Sequence, residues 1–443
     1  MSTPIIDFIN SYRSGDVAEL HMPGHKGTPL IGAEPLDITE IKGADALFEA
    51  YGIIGQSEKN MSSAYGSALT VYSTEGSSLS VKAMLACVRD YFGATFRIAA
   101  GRSCHRAFIN GCILLDIDPV WIYPSEPAPG LCTSTITPED VELTLSQHPE
   151  VNAVYITSPD YYGDMADISA IAEVCHRRGA LLIVDNAHGA YLKFASPDIH
   201  PITLGADICC DSAHKTLPTL TGASMVHISK SAPEALCRSI REEMSLFAST
   251  SPSYVIMSSL DRTAHELTEG DLPQRIRECC DFVTKMKSWL SAKWYDIIGD
   301  EPMKLTVSAL PLGYRGYELG GILRSCGVEP ELCDDFCAVL MPSPYNSQED
   351  LERVADVLLS VEGRKPKKLT PLRSHPKKVM TLREAYFSPH ERIPVTDTLG
   401  RVLSRSVLSC QPSVPAALGG EKIDRESIKI LKRYGFLEAD VVK

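Results

Sequence analysis

No run of apolar residues approaches the roughly 18 that a membrane-spanning helix needs. The opening MSTPIIDFINSYRSGD has neither the basic segment nor the apolar stretch of an export signal. These absences point to a cytoplasmic chain with no membrane partner. Basic residues are in the minority: 43 Lys and Arg stand against 56 Asp and Glu, a net charge of -13. That balance argues against a nucleic-acid partner, for which a basic patch is expected. Fourteen cysteines are present, yet none form a CxxC pair. Without an export signal they read as reduced, buried small hydrophobes. Cys333 and Cys337 lie four apart, but two thiols do not make a zinc site. His21 and His25 in HMPGHKG are spaced like metal ligands, but Pro23 and Gly24 break the helix such a pair requires. The segment is read as a turn, and no metal is assigned. Internal repeats and low-complexity tracts are also missing.

What is present is a chain of 443 residues, enough for two or three domains. Residues 1–40 read as a lead-in with a short helix. Across 41–274, apolar β-branched runs alternate with helix-period segments. VNAVYIT (151–157), ALLIVD (180–185) and ADICCD (206–211) are predicted buried strands, and DISAIAEVCHRRG (167–179) a helix closed by Gly179. Such alternation implies parallel βαβ units and a doubly wound sheet. Residues 275–362 change to a smaller α+β pattern, with strands in MKLTVSAL and DFCAVLMP and helices in YELGGILRSCG and SQEDLERVADVLLSV. A basic, Pro-containing linker (363–378) and a C-terminal segment (379–443) follow.

The chemistry gathers at predicted strand ends. Lys215, in DSAHKT, follows a strand, so it sits at the edge where open α/β sheets bind ligands. Taken alone it could equally be a solvated surface lysine. Asp185 ends the apolar strand ALLIVD, where an unpaired carboxylate is costly. It either caps the following turn or meets a cationic partner. The protonated ring nitrogen of pyridoxal 5'-phosphate (PLP) is such a partner, because a carboxylate there keeps the ring an electron sink. Gly76, Ser77 and Ser78 precede a helix-period run, where exposed N–H groups and hydroxyls make an anion site. A plain N-cap is the alternative. Ser212 and His214 flank Lys215, within reach of the same anion. His105 lies in AGRSCHRAF between a strand and a helix.

In order along the chain, PGHKG (23–27), EGSS (75–78), RSCHRAF (102–108), SPDYYG (158–163), VDNAHGAY (184–191), DSAHKTLPTLTGAS (211–224) and STSPSYVIMSSLD (249–261) together resemble the Orn/Lys/Arg decarboxylase family of bacterial PLP enzymes. The chain is similar to that family's short, wingless branch. The resemblance implies an α/β fold of the aspartate-aminotransferase type (PLP fold type I). Its large domain would carry a mixed, mostly parallel seven-stranded sheet, beside a smaller α+β C-terminal domain. It implies Lys215 as the Schiff-base lysine, Asp185 as the pyridinium partner with Ala187 beneath the ring, and His105 stacked on the ring face. Ser77, Ser78, Ser212 and His214 would hold phosphate, and His188 would line the cofactor. Ser249 and Thr250 would reach a neighbouring subunit's phosphate, which implies a homodimer or dimer-based oligomer with shared sites.

The implied reaction is decarboxylation of lysine, ornithine or arginine, with Lys215 or His214 returning a proton to Cα. Another PLP reaction on the same fold, such as aminotransfer or elimination, and a non-catalytic relative are the alternatives. The chain departs from the family pattern at four places. The usual D-E-A-H-G reads Asp185-Asn186-Ala187-His188-Gly189, and the usual Q-S-T-H-K reads Asp211-Ser212-Ala213-His214-Lys215. Asp160 replaces a Thr. The Y-P-P-G-I-P turn reads Cys410-Gln411-Pro412-Ser413-Val414-Pro415.

Overall fold

The computed structural model describes residues 2–15, 17–125, 130, 132–133, 135–371, 374–406 and 415–443. The chain divides into two compact units. One comprises Met1–Phe96 with Ile168–Arg277, and the other Arg97–Asp167 with Glu278–Lys443. Seven strands make one mixed, mostly parallel sheet. They are β1 (Leu69–Ser73), β2 (Ile98–Gly101), β3 (Val120–Ile122), β4 (Ala153–Thr157), β5 (Leu181–Asp185), β6 (Ile208–Asp211) and β7 (Ser224–Ile228). The structure is therefore α/β, as the alternating text predicts.

In the first unit the strand order is β1-β7-β6-β5. β5 and β6 run parallel, with Asp185 opposite Cys210, while β7 is antiparallel to both β6 and β1. β6 and β7 are buried throughout, and β5 everywhere except its half-buried first residue. Continuous apolar runs such as ALLIVD arise this way, because a sheet covered on both faces has no solvent side to alternate with. The helices here include α1 (Pro4–Arg13), α2 (Ile53–Tyr65) and α3 (Gly76–Phe92). α1 starts at Pro4, and its free N–H groups at Ile5 and Ile6 donate to the Asp261 carboxylate at 3.0 and 3.2 Å. That is how a buried helix start is satisfied without a local cap.

In the second unit β4, β2 and β3 lie side by side and parallel. α4 (Arg106–Leu115) follows β2. The expected strands in MKLTVSAL and DFCAVLMP appear as β9 (Leu305–Ser308) and β11 (Ala338–Leu340). With β8 (Asp296–Ile298) and β10 (Leu332–Cys333) they form an antiparallel sheet of order β10-β11-β9-β8. Near the C-terminus, β12 (His390–Pro394) pairs with β13 (Glu438–Val442). Arg102 and Glu421 form a buried bidentate ion pair in this unit at 2.8 and 3.1 Å. The Arg102 guanidinium also lies over Trp121 and Tyr123. No described helix is long and apolar enough to cross a membrane.

Candidate active site

Because β5 and β6 are parallel neighbours, the turns that leave them emerge at one sheet edge. The first turn reads Asn186-Ala187-His188-Gly189. The second is Ser212 followed by a short helix, Ala213–Thr216, that carries His214 and Lys215. The two turns meet: Lys215 Nζ lies 3.0 Å from His188 Nε2. Asp185 is buried at the end of β5. Its Oδ1 accepts the Ala187 N–H at 3.2 Å, with the Cys210 thiol 3.8 Å away. The turn-capping role open at the sequence level is thus one of its contacts. Burial pushes the Cys210 thiol up, so it stays protonated beside that carboxylate. His214 donates its Nδ1 proton to the Ala223 carbonyl at 2.9 Å. Gly189 has a packing reason to be glycine: a Cβ there would stand 2.0 Å from the Asn186 side-chain oxygen.

Gly76, Ser77 and Ser78 do not precede the helix, as the sequence pattern suggested; they form the first turn of α3. The N-cap is Glu75, which makes no side-chain cap bond. Gly76 has φ +70°, a left-handed value, and sends its N–H to the Gly222 carbonyl at 2.8 Å. The first turn is thereby anchored, with hydroxyls beside a helix start. Ser212 donates to Ser77 Oγ at 2.7 Å, which ties the lysine-bearing turn to that start. Ser78 is exposed, as are Ser249 and Thr250, and the Ser249 N–H is held by Glu75 at 2.6 Å. His105 belongs to the second unit, where it is the N-cap of α4 and its Nδ1 accepts the Ala107 N–H at 3.1 Å.

Sequence reasoning missed the polar group beneath these turns. Asp211 is fully buried. Its Oδ2 accepts from His200 Nε2 at 3.1 Å and His227 Nε2 at 3.2 Å, and its Oδ1 accepts from Asn186 Nδ2 at 2.7 Å. Ile202 N–H donates to His200 Nδ1, and the Thr70 hydroxyl lies 2.8 Å from His227 Nδ1. Each imidazole thus turns its Nε2 toward the carboxylate and its Nδ1 toward a partner of its own. Burial would raise the Asp211 carboxyl, but the two imidazoles override it and hold the group well below the usual carboxylate range. Burial in turn lowers His227. Lone histidines at 200 and 227 carry no spacing signal, so only the departures at 186 and 211 hinted at this group. Those two departures are hydrogen-bond partners.

In the second unit, Asp160 caps its own turn, with Oδ1 accepting from the N–H groups of Tyr162, Gly163 and Asp164 at 2.9–3.0 Å. Burial and the neighbouring Asp164 carboxylate push the Asp160 carboxyl up to about 7. Of the altered turn Cys410–Pro415, all but Pro415 lies outside the described residues.

Among solved structures, the lysine decarboxylase LdcF of Francisella novicida superposes with a TM-score of 0.83. It is 16% identical, over 100% of this chain and 81% of that one. That likeness establishes the fold, PLP fold type I. Residues 3–298 match the model of the Orn/Lys/Arg decarboxylase major domain, and the chain belongs to that family. Membership makes it a PLP-dependent carboxy-lyase acting on a basic amino acid. Relatives include the uncharacterized protein YaaO of Bacillus subtilis, 28% identical over 98% of this chain and 94% of the relative. The arginine decarboxylase of the same organism is 27% identical, over 97% and 93%. The donor set suits PLP: a buried carboxylate, an amine in the adjoining turn, and paired serine hydroxyls at a helix start.

Proposed function

We propose that this enzyme acts on arginine in preference to lysine or ornithine, with PLP bound covalently to Lys215. One observation carries the cofactor assignment. Asp185 and Lys215 leave neighbouring parallel strands at the same edge, and Ser212 joins the lysine turn to the start of α3. Bound there, PLP supplies a ring that takes up the electron pair left at Cα when CO2 departs. Asp185 would hold a proton on the ring nitrogen. Ala187, small and buried, leaves space for the ring. Ser77, Ser78, Ser212 and His214 would bind the phosphate, with the α3 N-terminus adding its dipole. When the Lys215 amine is free, His188 Nε2, 3.0 Å away, would accept a hydrogen bond from it and keep it aimed. Lys215 or His214 returns the proton to Cα as general acid. His105 enters this proposal on its RSCHRAF motif alone.

The preference for arginine rests on the relatives of matching length. Beyond the Bacillus subtilis enzyme, the arginine decarboxylase of Halalkalibacterium halodurans also covers 97% of this chain, at 26% identity. Residues 41–274 are proposed as the cofactor-binding domain, 275–362 as the small domain, 363–378 as a linker and 379–443 as the family's C-terminal segment. A cytoplasmic homodimer is part of the proposal. Leu20, Met22, Leu30, Ile31 and Tyr51 are 69–95% exposed, an apolar set that a second copy would cover. Ser249 and Thr250 would then serve the partner's phosphate.

The test is product analysis by mass spectrometry. PLP-loaded protein is incubated separately with arginine, lysine and ornithine. Agmatine formed faster than cadaverine or putrescine supports the reading. Another amine in excess corrects the substrate, and no amine from any of the three overturns the activity.

A further inference from the structure

The strongest unexplained feature of the first unit is a fully buried carboxylate, Asp211, one residue before the turn that carries Lys215. Its partners come from separate stretches. Asn186 lies in the turn after Asp185, His200 in the 195–207 loop and His227 on β7. Its backbone takes part as well. The Asp211 carbonyl accepts from Ser224 Oγ at 2.7 Å, and Ser224 Oγ lies 2.9 Å from Ser80 Oγ on α3. The Asn186 N–H donates to the Cys210 carbonyl at 3.0 Å. Tyr65 stacks on His227 with ring centroids 4.3 Å apart and meets His200 edge-on at 5.1 Å, which fixes both imidazoles. One residue thus links the Asp185 turn, the Lys215 turn and α3. His200, Cys209 and Asp211 do offer ligand atoms within 4.8 Å of one another. However, both Nε2 atoms sit at hydrogen-bond length from the carboxylate and Asn186 takes the other oxygen, a donor set for an anion rather than a cation.

We propose that Asp211 is a positioning residue. Held by His200 and His227, it grips Asn186 and so sets where Asp185 stands relative to Lys215. The proposal rests on the PLP reading of those two residues. The sequence supplies an independent sign that 186 and 211 act as a pair. Where the family usually has an acid and then an amide, this chain has an amide and then an acid. Both patterns carry one amide and one acid at these two positions, in reversed order; in this chain the two side chains are hydrogen-bonded. Exchanging the two groups keeps every donor matched. An amide at position 211 would offer its oxygen to the two histidines and its NH2 to a carboxylate at position 186. Amides at both positions lose this match. Either two N–H groups face each other, or the Asn186 amide turns over and buries its NH2 where its oxygen now has no partner. Carboxylates at both positions repel. In a buried site either mismatch displaces the turn that carries Asp185.

The experiment compares wild type, Asp211→Asn, Asn186→Asp and the double variant Asn186→Asp/Asp211→Asn. The readouts are PLP dissociation constant, visible absorption maximum of the loaded protein, and apo-protein melting temperature. Each single variant is expected to bind PLP at least tenfold more weakly with a displaced absorption band. The double variant should return to within about threefold of wild type with the band restored. A folded double variant no better than the singles, or singles that match wild type, overturns the proposal. If a single variant does not fold, the double variant carries the test: wild-type-like PLP binding supports it and tenfold weaker binding overturns it. Wild type that binds no PLP at all would sink the cofactor assignment instead, a distinguishable failure.

Discussion

Asp211 and Asp160 are both buried carboxylates in strand-end surroundings, yet they stand at opposite ends of the titration scale. Asp211, in the first unit, accepts three side-chain hydrogen bonds and is held below the usual range. Asp160, in the second, accepts backbone N–H groups but shares its space with Asp164, and is pushed up to about 7. Burial raises both. What separates them is whether the neighbours are imidazoles that donate to the carboxylate or a second acid. The first arrangement suits a fixed scaffold under a cofactor site, the second a turn whose charge changes near neutrality.

The largest effects are expected from removing the groups at the strand ends of the first unit. Lys215→Ala should lower kcat/KM for decarboxylation at least about 1000-fold, since covalent attachment and proton return are both lost. Activity in the mutant within tenfold of wild type would exclude Lys215. Asp185→Asn should cost on the order of 100-fold in kcat, because an uncharged partner no longer holds the ring proton. Glu421→Ala tests the second unit's ion pair. With Arg102 left buried and unpaired, chemical denaturation should show a loss of about 3–5 kcal/mol. The smallest effect falls on Asp160. Its folded pKa is raised, so the folded state binds more protons than the unfolded state between about pH 4 and 7. This group's contribution therefore falls as pH rises through that window, and the destabilisation is full above it. Asp160→Asn should flatten that decline in melting temperature and gain on the order of 1 kcal/mol at pH 8. Parallel curves for mutant and wild type would show that Asp160 is ionised throughout.

The sheet was legible because its strands are short apolar runs ending in chemistry. ALLIVD and ADICCD were read as buried strands from their apolar runs, and each closes on an acid. Lys215, Asp185 and Ser212 were legible for the same reason: each sits where a strand stops. The start of α3 was misplaced by a few residues, because Gly76 at a left-handed φ looks like a loop residue yet opens the helix. The buried group around Asp211 was not legible. Its members at 186, 200, 211 and 227 share no helical or strand period, and only the fold of β5, β6 and β7 brings them together. Sequence showed two odd residues, and structure shows that they are one interaction. The ion pair Arg102–Glu421 joins positions 319 apart, which no local pattern can reveal.

Whether Lys215 carries the cofactor is read by borohydride reduction of the PLP-loaded wild-type protein, followed by peptide mass mapping. A single pyridoxyl adduct is expected on the peptide that contains Lys215. An adduct on any other lysine, with the Lys215 peptide unmodified, would contradict this.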